Sequence, residues 1–248
     1  MENYTIAETY TLPSKGKVYA KPVNPEVKIR SMTTEEEMKR LGHSDQQYKL
    51  LSEIIDDCLI TKPSISSYDM CIGDYQFLLH KLRVVTYGSD YKVTTVCPIC
   101  GTQNKTIINL DSLNVVEYSE DMGDCLRVTL PKTKHTLDLR LQTPRMLDEI
   151  RQKSDDLLAK SSKLVGEPAF LFTLEALIDK VDGMTYDGVK LAEFVRKLPM
   201  MDANYILKTL EKINIGIDSN LTHKCSRCQS VFNYTFPFSS EFFGPSID

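Results

Sequence analysis

Four cysteines in two matched pairs carry the clearest chemistry in this chain: Cys97-Pro98-Ile99-Cys100 and Cys225-Ser226-Arg227-Cys228. Two intervening residues place both sulfurs of a pair on one tight turn, along one edge of a tetrahedron. Two such turns facing each other make a four-thiolate zinc site. Four thiolates leave no open coordination position, so the metal is expected to be structural and to contribute folding energy. His223, two residues before Cys225, is a candidate substitute ligand, read first as a strand residue beside the site. The competing reading of the pairs is a redox dithiol. Against it, neither pair opens a helix in a thioredoxin-like βαβ setting.

Other catalytic constellations are missing from the sequence. It contains no His-Glu-x-x-His, no G-x-G-x-x-G, no Walker loop and no G-x-S-x-G. The remaining histidines, His43, His80 and His135, are scattered. The carboxylate clusters Glu35 to Glu37, Asp56-Asp57 and Asp155-Asp156 fall at helical spacing and read as solvated helix faces.

The elements that must position the cysteines alternate in hydrophobicity. Tyr91 to Val96 is β-prone and enters the first pair, and Thr106 to Ile108 leaves it. Leu221 to Lys224 enters the second pair, and Val231 to Phe236 leaves it. Two hairpins with cysteines in their turns make a zinc ribbon, here interrupted by residues 101–224. Before the ribbon, strands are expected at Tyr4 to Thr11 and Val27 to Arg30. A capping box at Thr33 opens a short helix ending near Gly42. Helices follow at Gln46 to Ile60 and Asp74 to Val85, with Gly88 as a stop. Inside the interruption, a hairpin at Cys125 to Leu130 and Thr136 to Leu141 precedes four helices. These run from Pro144 to about Leu164, Pro168 to Lys180, Lys190 to Leu198 and Asp202 to Ile213.

An internal echo is present. Thr11-Leu12-Pro13 precedes a strand ending at Arg30 and a helix capped by Thr33. Thr129-Leu130-Pro131 precedes a strand ending near Arg140 and a helix capped by Thr143. Duplication is one explanation; independent use of a common hairpin-then-helix unit is the other. The fold class is therefore α+β: β-hairpins and a helix bundle with a ribbon built from two distant hairpins. Four parts are expected. These are a hairpin plus helices over 1–90, a discontinuous ribbon over 91–110 and 219–237, an inserted hairpin and helical region over 111–218, and a phenylalanine-rich tail over 238–248.

Composition narrows the class of function. Net charge is −4, whereas a dedicated nucleic-acid binder carries a basic excess for phosphate contacts. Near the ribbon only Lys92, Lys105, Lys224 and Arg227 are basic. No apolar run of roughly 18 residues is present, so no membrane segment is expected, and Met1 to Thr11 lacks the apolar core of a signal peptide. Seven cysteines, an odd number, point to a reducing compartment with free thiols and thiolate ligands. Cys58, Cys71 and Cys125 read as small core side chains.

The ending from Phe236 to Pro245 holds four phenylalanines, among them Phe238, Phe242 and Phe243. They either pack on the chain's own core or dock on a partner.

Several segments together resemble the baseplate hub and hub-assembly proteins of T-even-like contractile-tailed phages. They are Leu12-Pro13-Ser14-Lys15-Gly16, Ile29-Arg30-Ser31-Met32-Thr33-Thr34-Glu35-Glu36, Leu82-Arg83-Val84-Val85-Thr86-Tyr87-Gly88 leading into Cys97-Pro98-Ile99-Cys100, and Phe242-Phe243-Gly244-Pro245-Ser246. The resemblance covers most of the chain and includes no catalytic motif. It implies a non-enzymatic viral protein, either a virion component or an assembly chaperone of the tail. The partners it implies are hub, tape-measure or other tail proteins, with no small-molecule substrate, and the setting is the host cytoplasm during assembly and then the virion baseplate. The alternative is a zinc-ribbon nucleic-acid or transcription accessory protein. A third reading is an enzyme using zinc or the acidic clusters.

Overall fold

The computed structural model describes residues 5–160, 166–235 and 242. Strand β1 (Ala7–Thr11) pairs antiparallel with β2 (Glu26–Arg30). The capping box then forms as expected and opens α1 (Thr34–Arg40). Thr33 donates to Glu36 Oε2 from its backbone N–H at 2.7 Å and its hydroxyl at 2.6 Å. Helix α2 (Gln47–Cys58) runs directly into β3 (Leu59–Thr61), which returns to β2. Helix α3 (Ile72–Tyr87) follows and stops at Gly88, whose φ of 86° is readily adopted only by a residue without Cβ.

The first ribbon hairpin is β4 (Asp90–Val96) and β5 (Gln103–Asn109). Short β6 (Val115–Val116) and α4 (Glu120–Asp124) lead to a second hairpin, β7 (Arg127–Thr129) and β8 (Thr136–Leu139). Helices α5 (Pro144–Lys160) and α6 (Pro168–Leu177) come next, and α6 runs straight into β9 (Ile178–Val181), which pairs with β8. Then come α7 (Gly188–Lys197), α8 (Met200–Leu210) and β10 (Gly216–Ile217), the last paired with β6. The second ribbon hairpin, β11 (Asn220–Lys224) and β12 (Val231–Thr235), follows.

Two expected helices are therefore shorter than their apolar pattern, because Leu59 and Ile178 turn extended and start strands. Short apolar runs fit a buried helix turn and a buried strand equally well, and pairing partners decide between them. Neither third strand was visible in the sequence, yet both belong to one plan. The two sheets have the orders β1-β2-β3 and β7-β8-β9, with a register shift at Lys28/Ile29 in one and at Asp138/Leu139 in the other.

The Leu-Pro turns match as well. Leu12 and Leu130 are both fully buried. After the first, Ser14 donates its N–H to Asp74 Oδ1 at 2.9 Å and its hydroxyl to Oδ2. After the second, Lys132 N–H donates to Asp202 Oδ1 at 2.8 Å, and Thr133 donates its N–H and hydroxyl to Oδ2. Asp74 and Asp202 are buried and each is the third residue of its helix, α3 and α8. Each turn is thus pinned to a helix N-terminus by one buried carboxyl group. Against desolvation, the Lys132 and Thr133 N–H groups hold Asp202 below the usual carboxylate range, whereas desolvation raises Asp74 above it.

Apolar side chains gather in three places. The largest core joins the first sheet, α2 and α3, and also draws in Leu110, Leu113, Ile217 and Phe242. A second lies among β7, β8, β9, α6, α7 and α8. The third, between the ribbon hairpins, holds Cys97, Cys225 and Phe232, with Cys100 and Tyr234 against them.

Candidate metal centre

Each cysteine pair sits in a turn of the same construction. In the first, Cys97 N–H donates to Thr102 O and Gly101 N–H to Cys97 O, both at 2.9 Å. In the second, Cys225 N–H donates to Ser230 O at 2.9 Å and Gln229 N–H to Cys225 O at 3.1 Å. Both turns need a left-handed residue just after the second cysteine: Gly101 at φ 68° and Gln229 at φ 61°. Gly101 takes this without strain, whereas Gln229 meets a steric penalty of about 1–2 kcal/mol.

Pairing of β4 with β5 and of β11 with β12 forms the two turns, and the small apolar cluster of Cys97, Cys225 and Phe232 sets them face to face. The four Sγ atoms of Cys97, Cys100, Cys225 and Cys228 lie within 4.8 Å of one another. Across the hairpins, Cys97 Sγ stands 3.7 Å from Cys228 Sγ and Cys100 Sγ 3.6 Å from Cys225 Sγ. A tetrahedron of sulfurs each about 2.3 Å from zinc has edges of roughly 3.8 Å. Cys97 and Cys225 are buried, Cys100 is half-buried and Cys228 is exposed.

Hydroxyls of the turns face the outer sulfurs: Thr102 Oγ1 lies 3.3 Å from Cys100 Sγ, and Ser230 Oγ lies 3.2 Å from Cys228 Sγ. The Thr102 hydroxyl and amide together pull the Cys100 thiol down to about 6. Backbone N–H groups of Cys228 and Arg227 lower Cys225 as well. Hydrogen bonds to sulfur favour the thiolate, the form that binds metal, at these two positions. Cys97 is instead pushed up to about 11, where the backbone N–H groups of Cys100 and Ile99 are outweighed by desolvation and the neighbouring sulfurs.

His223 does not join the cluster. It sits in β11 with its ring edge-on to Phe232, centroids 5.6 Å apart. Neither pair opens a helix, so the thioredoxin-like setting for a redox dithiol is missing at both. Cys58 and Cys71 are buried, and desolvation pushes both thiols up to about 12. Cys125 is half-buried.

Four of the clustered carboxylates are taken up by local structure, while Glu35, Asp155 and Asp156 lie exposed on their helices. Asp56 accepts from Ser66 Oγ at 2.6 Å and Ser67 N at 3.0 Å, and Asp57 pairs with Lys39 at 2.6 Å. Glu36 pairs with Arg30 and Glu37 with Arg40, each at 2.6 Å. Phe242 is placed in the chain's own core, 1% exposed, with ring centroids 6.3 Å from His80 and 5.4 Å from Tyr91. Phe238 and Phe243 lie outside the described residues. Among the described residues no helix is long and apolar enough to cross a membrane.

Sequence reasoning passed over Asn104. It is 3% exposed and stands between the two turns. An Asn in a β-prone exit strand carries no periodic signal, so only the folded arrangement reveals it.

No curated protein and no solved structure matches the chain. A family model described as T4 bacteriophage base plate protein matches residues 3–244, nearly the whole chain, and the protein belongs to that family.

Proposed function

We propose that this protein is a non-enzymatic component or assembly factor of the phage baseplate hub, binding other tail proteins, with zinc held by Cys97, Cys100, Cys225 and Cys228. The family match over residues 3–244 supports the baseplate part of this reading and carries it. The four-sulfur cluster supports the metal part. The apolar core beneath the ribbon is very small, so the two hairpins need a further constraint to hold each other, and a structural metal supplies one. Hub and tape-measure proteins are the expected partners, met in the host cytoplasm during assembly and retained in the virion if the protein is a component.

The four-part division also belongs to this proposal: an N-terminal unit, a ribbon assembled from two distant hairpins, an inserted helical unit and a short tail. Leu110, Leu113, Ile217 and Phe242 complete the core of the first unit. The nucleic-acid alternative is not taken up, because a net charge of −4 provides no basic excess.

The test is a tagged pull-down from cells co-expressing neighbouring tail genes, after nuclease treatment, with metal analysis of the purified protein. Recovery of hub or tape-measure proteins with one zinc per chain is the expected result. Recovery of RNA polymerase or nucleic acid, or a metal-free chain, would overturn the corresponding half. Presence in purified virions then separates component from transient factor.

A further inference from the structure

The two cysteine turns match in hydrogen bonding, in their left-handed residue and in the hydroxyl beside the outer sulfur. They differ at two further matched positions. Two residues beyond Thr102 stands Asn104; two residues beyond Ser230 stands Phe232. The residue after Cys225 is Ser226, and the residue after Cys97 is Pro98.

Asn104 uses this difference. Its Oδ1 accepts the Ser226 N–H at 2.8 Å and the Ser226 hydroxyl at 2.9 Å. Its Nδ2 donates to Thr102 O at 3.0 Å and lies 3.8 Å from Cys225 Sγ. The orientation of the carboxamide is dictated by its partners. A backbone N–H can only donate, so the oxygen must face Ser226, leaving the NH2 group for the carbonyl and the thiolate. One buried side chain on the first hairpin thus grips the second turn and closes back on its own. The reverse grip cannot form, because Pro98 has no N–H to offer and Phe232 has nothing to accept it with.

We propose that Asn104 is the positioning residue of the metal centre. It clasps the second turn through Ser226 before any metal arrives, so that the four sulfurs are already in place. Its Nδ2–H adds a donor toward Cys225. This inference rests on the four-thiolate reading above and deepens it, because it assigns the residue that sets the affinity. Groups that orient the direct ligands are commonly worth 10–100-fold in metal binding, and a buried carboxamide with all its partners met is a rigid clasp.

The experiment is a cobalt(II) titration of the full chain, followed by zinc competition. It reads the sulfur-to-cobalt charge-transfer and tetrahedral d–d bands. The wild type gives the four-thiolate spectrum. Asn104→Ala retains the same band positions but binds cobalt 10–100-fold more weakly. Ser226→Ala, which removes only the hydroxyl and keeps the N–H, weakens binding several-fold. Added to Asn104→Ala, it has no further effect, because the two act through one contact. Equal affinity of Asn104→Ala and wild type, within threefold, would overturn the proposal and leave the metal site standing. So would independent, multiplicative effects of the two substitutions. A wild type with no charge-transfer band would instead remove the metal reading on which the proposal rests. If Asn104→Ala proves insoluble, Ser226→Ala alone decides: unchanged affinity overturns the clasp.

Discussion

The Asp148 carboxylate caps a helix of the other half of the chain: its Oδ2 accepts the Lys49 backbone N–H at 2.9 Å. Lys49 lies in the first turn of α2, whose own N-cap residue Gln46 makes no side-chain cap bond. Asp148 is buried in α5 and also takes the Tyr68 hydroxyl at 3.1 Å. Just upstream on α5, Arg145 grips Asp69 through two bonds of 2.6 and 2.9 Å and lies 4.4 Å over the Tyr68 ring. The first and second sheet-and-helix units are therefore joined by a helix cap lent across the boundary. Asp148→Ala is expected to cost about 1–3 kcal/mol, the value of a cap plus an orphaned buried donor. Asp148→Asn, which keeps an acceptor, should cost less. Urea unfolding measures both, and a loss below about 0.5 kcal/mol for the alanine variant would show that the cap is idle.

Metal removal makes a second prediction. Cys225→Ser should lose zinc and about 3 kcal/mol, roughly 6–12 °C in Tm for a chain of this size. Differential scanning calorimetry with and without chelator is the check. A wild type that melts at the same temperature with and without chelator would sink the structural role.

Glu36 supplies the pH dependence. The Arg30 guanidinium, then the Thr33 hydroxyl and N–H, hold its carboxyl down at about 2, against 4.5 for a free glutamate. A depressed carboxylate contributes stability above its unfolded value and loses it as pH falls through its folded value. Glu36→Gln is therefore expected to cost on the order of 2 kcal/mol at neutral pH. The difference should fade between pH 5 and 2, as the wild-type carboxyl takes up its proton. Denaturant midpoints across that range test this; a difference that persists unchanged to pH 2 contradicts the assignment.

Phe242 separates the two readings of the tail. Seated against His80 and Tyr91, its truncation to alanine should cost about 3–5 kcal/mol, the range for a buried phenylalanine. Unchanged stability with lost binding to a hub protein would assign this residue to a partner instead.

Gly73 tests the close approach of α3 to β10. A Cβ there would stand 2.1 Å from the Ile215 carbonyl oxygen, with the backbone of Gly216 beside it. Gly73→Ala should therefore cost about 2–3 kcal/mol or prevent folding. Gly188→Ala, at a helix start with open space around it, should fall within about 0.5 kcal/mol of wild type. Thermal melts of the two variants settle the comparison.

Local chemistry was legible in the chain itself. The capping box at Thr33, the stop at Gly88, the Pro starts of α5 and α6 and the hairpins around the cysteines depend on residues a few positions apart. Side chains and their nearest backbone groups decide such features without help from the rest of the molecule. The cysteine spacing likewise announced two turns able to share a metal. What the sequence alone could not decide depends on pairing at a distance. Strands β3 and β9 exist because β2 and β8 present free edges to Leu59 and Ile178, which otherwise continue a helical pattern. Asp74, Asp148 and Asp202 look like ordinary helix carboxylates until a turn or a helix end from elsewhere arrives against them. Asn104 gains its place only when residues 122 positions apart meet. Burial and hydrogen-bond partners across such separations are properties of the packed chain, and tertiary structure alone assigns them.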